Sequence, residues 1–86
     1  MRLFIKDYIS KITISDITQF GISNDISLSM DEADILLFYL KNNWEDILYG
    51  DYESIIHEIE DKFDYSKAHK IINLFYYYRD KYKIYL

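Results

Sequence analysis

The sequence predicts an all-α fold, a compact bundle of four to five short helices. Three observations lead there. Proline is absent and glycine occurs only twice, so few positions force the chain out of a helix. Apolar residues recur at intervals of three and four along most of the chain, the period of one helical face. Ser29 and Glu32 stand in the S-x-x-E pattern of a capping box, flanked by Leu28 and Ala33 at hydrophobic-staple spacing. That start signal divides the sequence into two helical halves.

The elements follow in order. Ile5, Tyr8, Ile9 and Ile12 mark a first helix over Leu3 to Ile12. Ser15-Asp16 offers a cap for a second, with Ile17 and Phe20 apolar and Gly21 as its stop. Residues 22–28 stay open between extended and helical. Ile12-Thr13-Ile14-Ser15 and Ile26-Ser27-Leu28-Ser29 both alternate, which allows a small strand pair, although an extended connector suits such short runs better. The third helix runs from about Met30 to Asn42, with Asp31, Glu32 and Asp34 in the first turn where the helix dipole favours them. Asn42-Asn43 ends it. Trp44 to Gly50 reads as a loop or one extra turn, with Trp44, Ile47 and Leu48 turned inward. Asp51 caps a fourth helix to about Phe63, in which Tyr52, Ile55, Ile56, Ile59 and Phe63 form one face opposite Glu53, Glu58, Glu60 and Asp61.

Asp64 or Ser66 caps the last helix. There Ala68, Ile71, Phe75, Tyr78, Tyr82 and Tyr85 repeat at alternating intervals of three and four, a seam for packing on another helix. Ile72, Leu74, Tyr76 and Tyr77 add apolar surface elsewhere on it. Such a helix is central or is covered by a partner. The central position is the simpler reading, yet tyrosine suits a half-wet interface better than leucine does. The predicted core comprises Ile9, Ile17, Phe20, Leu28, Ala33, Leu36, Leu40, Ile55, Ile59, Ile71 and Phe75.

Length and composition bound the rest. Eighty-six residues read as a single helical domain, 1–86, near the size where burial only just outweighs chain entropy. Hydrophobic residues make up 50% and aromatic residues 19%, with ten tyrosines, so the chain is globular rather than disordered. Heavy use of Ile, Lys, Asn, Asp and Tyr matches an AT-rich bacterial or phage genome. Cysteine is absent, which excludes disulfides and thiolate metal sites. No run approaches the ~18 apolar residues of a membrane span, and Asp7 interrupts any apolar leader, so a cytoplasmic protein with no membrane partner is expected. The net charge of −5 is uneven. Residues 66–86 hold five Lys and Arg against Asp80, whereas residues 1–65 hold five against fourteen Asp and Glu. Cations there complement the helix dipole and the acidic middle before they need an anionic partner.

Chemistry is sparse. His57 and His69 lack metal-site spacing, no calcium loop or glycine-rich phosphate cradle occurs, and no serine sits in a nucleophile elbow. No enzyme, metal or cofactor is expected. Asp16 to Ile22, an extended stretch and the capped Ser29–Leu40 helix resemble the helix-extension-helix layout of small SAP-type DNA-binding modules. Those modules need basic residues where this chain has Met30, Asp31, Glu32 and Asp34, so nucleic acid is disfavoured as a partner. The run Tyr78-Arg79-Asp80-Lys81-Tyr82-Lys83 could stack single-stranded bases. Alternatively, Asp31, Asp34, Glu53, Glu58 and Asp61 could imitate a phosphate row, as in acidic inhibitors of nucleic-acid-binding proteins.

Ile26-Ser27-Leu28-Ser29 with Glu32-Ala33, the apolar helix ending in Lys41-Asn42, and Ala68-x-x-Ile71-x-x-Leu74-Phe75 together resemble the YqfT-like family. These are short proteins of low-GC Gram-positive bacteria, catalogued as a domain of unknown function. The likeness is clearest over Tyr8 to Leu40 and thinner over Ser66 to Phe75, while the tyrosine-rich stretch Tyr76 to Leu86 departs from it. It implies a small helical intracellular protein and brings no catalytic residue. The functional expectation is a non-enzymatic protein-interaction module that binds a protein partner or itself. A homodimer would form through the last helix, with interface residues Tyr77, Tyr78, Arg79, Tyr82 and Tyr85. Tyr78 and Tyr82 serve there as anchors and Arg79 lies at the rim.

Overall fold

The computed structural model describes residues 2–83, and the side chains of residues 4–81. The fold is all-α. Helices α1 (Arg2–Ser10), α2 (Ile14–Ser23), α3 (Met30–Tyr49), α4 (Glu53–Lys62) and α5 (Tyr65–Lys83) follow in chain order, and no strand occurs among the described residues. The chain falls into two units that divide between Asn42 and Asn43.

In the first unit, α1 buries Ile9 and leaves Tyr8 exposed. Lys41 Nζ donates to the Ser10 carbonyl at 3.2 Å, placing a cation where the last carbonyls of α1 lack helical donors. The cap of α2 is Thr13, not Ser15-Asp16. Thr13 Oγ1 accepts from the Asp16 amide at 3.2 Å and Asp16 Oδ2 accepts from the Thr13 amide at 2.9 Å. Asp16 therefore belongs to the start of α2, but as the third helical residue rather than the cap. This reciprocal pair satisfies two groups that a cap at Ser15 would leave open.

The end of α2 differs from expectation as well. Gly21 lies inside the helix and is buried. The Asp25 amide donates to the Ile22 carbonyl and the Ile26 amide to the Gly21 carbonyl, at 3.2 and 2.7 Å, with Asp25 at φ 61°. This is a Schellman closure with aspartate in the left-handed position that glycine usually takes. The role of Gly21 is steric. A Cβ there would stand 2.8 Å from the Ile26 carbonyl oxygen and 3.0 Å from the Leu28 side chain. Because the returning connector lies against Gly21, the neighbouring Phe20 is turned outward, 41% exposed, and is not a core residue. Residues 22 and 23 are helical, 24 and 25 form the turn, and 26–29 carry no regular structure.

The capping box of α3 forms as read. Ser29 Oγ accepts from the Glu32 amide at 3.1 Å, and Glu32 Oε1 accepts from the Ser29 amide at 2.9 Å. Ala33 is fully buried, and Ile26 and Tyr39 are buried with it. Ile17, Leu28, Leu36 and Leu40 are half-buried. Helical geometry lapses at Asn43 (φ −129°, ψ 16°) and then resumes to Tyr49. Trp44 to Tyr49 is thus helical, so of the two readings the extra turn holds and the loop does not. The Asn42 side-chain amide donates to the Phe38 carbonyl at 2.8 Å, as Asn24 does to the Phe20 carbonyl at 2.8 Å. A side chain that shares the i−4 carbonyl competes with the helical ladder. In both cases the helix ends or lapses next to it.

In the second unit Trp44 is buried, with Ile47 and Leu48 half-buried. Asp51 Oδ1 accepts from the Glu53 amide at 3.1 Å, and Asp64 Oδ1 from the Lys67 amide at 2.8 Å, so Asp64 and not Ser66 opens α5. Helix α4 packs on α5 and buries Ile55 and Ile59, with Phe63 buried just past its end and Ala68 buried on α5. Each of the larger side chains contributes about 1.5–3 kcal/mol by leaving water. Ile71 and Phe75 are half-buried.

Two substitutions test this account in urea titrations. Gly21→Ala should lower unfolding free energy by about 1–3 kcal/mol, the cost of overfilling a closed contact. At position 25, Asp25→Gly should be more stable than Asp25→Ala by about 1 kcal/mol, because only glycine takes a positive φ freely.

Candidate functional site

The second unit gathers an aromatic cluster beside one arginine. Tyr52 sits in the N-cap position of α4 without a capping side-chain hydrogen bond, and its half-buried ring meets α5. Its centroid lies 5.7 Å from that of Phe75 and 5.9 Å from that of Tyr76, the latter pair edge-on at 87°. Phe75 and Tyr76 are themselves edge-on at 5.8 Å. Edge-to-face pairs at such separations are favourable beyond their burial. The Arg79 guanidinium carbon stands 4.2 Å over the Tyr52 ring, while Nη1 donates to the Ile47 carbonyl at 2.8 Å. That carbonyl lies in the last turn of α3, where no helical amide follows to donate to it. Arginine can make both contacts because its planar fork stacks and donates together.

Tyr77 and Tyr78 form a second edge-on pair at 5.1 Å and 86°, with Lys81 Nζ 5.9 Å from the Tyr78 centroid. Tyr78 is half-buried, whereas Tyr77 is 59% and Tyr76 42% exposed. At the other end of α5, Tyr65 is 87% exposed and stacks on His69, with 8° between the planes and 6.1 Å between centroids.

Of the residues expected at an interface, Tyr77 is on the surface and Tyr78 is partly enclosed. Arg79 is engaged within its own unit. Tyr82 lies in α5 with its side chain outside the described residues, and Tyr85 is outside them altogether. Tyr52 and Tyr76 read as apolar surface of their helices and not as interface residues. The 3,4 seam drew attention to Tyr78 and Tyr82, while Tyr76 stands off that seam and Tyr52 read as part of the apolar face of the fourth helix. The spacing from Tyr52 to Phe75 holds no local signal, since only the turn between α4 and α5 brings them together.

Glu53, Glu58, Glu60 and Asp61 are exposed on α4, and Asp31 and Asp34 are exposed on α3 in the first unit. His57 Nδ1 is 3.7 Å from Glu60 Oε1. Among the described residues no three His, Cys, Asp or Glu side chains gather as a metal site, and no helix is long and apolar enough to cross a membrane. No family model, curated protein or solved structure matches the chain.

The arginine contact has a measurable consequence. Arg79→Ala should cost about 1–2 kcal/mol of stability through loss of a charged hydrogen bond and of ring stacking. Arg79→Lys should recover less than half of that in thermal or urea melts, since a lysine cannot donate to Ile47 and lie flat on Tyr52 at once.

Proposed function

We propose that this chain is a non-enzymatic protein-interaction module whose docking surface is the outward tyrosine face of α5. The observation that carries this reading is the exposure of Tyr76 and Tyr77 on rings already held in edge-on pairs with Tyr52, Phe75 and Tyr78. A pre-set aromatic ring surrenders little rotamer freedom on binding, so more of its burial appears as affinity. Tyrosine also tolerates water before the partner arrives and covers a large area after it. Tyr76 and Tyr77 are the anchors in this proposal, in place of Tyr78 and Tyr82.

Membership of the YqfT-like family belongs to the same proposal and adds no catalytic role. Nucleic-acid binding through the basic end of α5 is the weaker alternative. Arg79 donates to a backbone carbonyl and stacks on Tyr52, which draws it away from a phosphate. The exposed carboxylates of α4 could serve a basic partner, but aromatic anchors contribute more than solvated rim charges.

Affinity capture from cells that express the protein, with wild type and Tyr76→Ala/Tyr77→Ala as baits, checks the reading. The double variant should keep its helical circular dichroism and lose specific partners at least about tenfold, as for hot-spot residues. Unchanged capture would remove α5 from the interaction, and loss of helicity would make both residues part of the core.

A further inference from the structure

We draw no further inference here: the strongest candidate, the exposed row of Tyr65, His69, Asn73 and Tyr77 on α5, continues the docking face already proposed, and nothing in the structure shows what covers it.

Discussion

Short polar side chains close the helices of this protein, and the rest of the structure depends on those closures. Proline is absent, and neither glycine adopts a positive φ. The chain therefore has to stop its helices by local hydrogen bonding. Thr13 with Asp16 and Ser29 with Glu32 open α2 and α3. Asp51 and Asp64 receive amides at the starts of α4 and α5. Asn24 and Asn42 draw a carbonyl away from the ladder where α2 ends and α3 lapses. Each closure is modest, about 1 kcal/mol or less, but without them apolar stripes of similar period could run on into one another.

Closing the helices early lets the connectors be short, which sets what each unit can bury. The return at Asp25 and Ile26 depends on the missing side chain of Gly21, and it exposes Phe20 as a consequence. Two connecting residues at Phe63 and Asp64 let α4 fold back on α5. The same return brings Tyr52 under Phe75, Tyr76 and Arg79. The aromatic cluster is thus a product of connector geometry, and its exposed rings inherit their orientation from packed neighbours. An arginine committed to a helix-end carbonyl adds directionality that apolar packing lacks. This links local capping to the outward placement of the rings on α5, on which the proposed docking role rests.

Much of this architecture was legible in the residues. The S-x-x-E box, the acidic first turn of α3 and the face of Ile55, Ile59 and Phe63 each rest on contacts within one or two turns, where spacing alone decides which side chains meet. Readings failed where a local signal had two meanings. Gly21 could end a helix or admit a close neighbour, and the connector chose the second. Asn42-Asn43 could terminate α3 or interrupt it, and the burial of Trp44 accompanies a resumed helix. The Ser15-Asp16 cap was two residues late because threonine and aspartate formed the reciprocal pair instead.

By itself, the sequence determined the helical class, the approximate helix spans and the strongest cap, because these follow from periodicity and hydrogen bonds between near neighbours. Tertiary structure alone decided which tyrosines are engaged and which are free to face outward. Tyr76, Tyr77 and Tyr78 are consecutive and chemically alike, so no property of the residues separates them. What separates them is the 100° turn between successive helical positions measured against neighbours that come from α3 and α4, and those neighbours exist only once the chain has folded back.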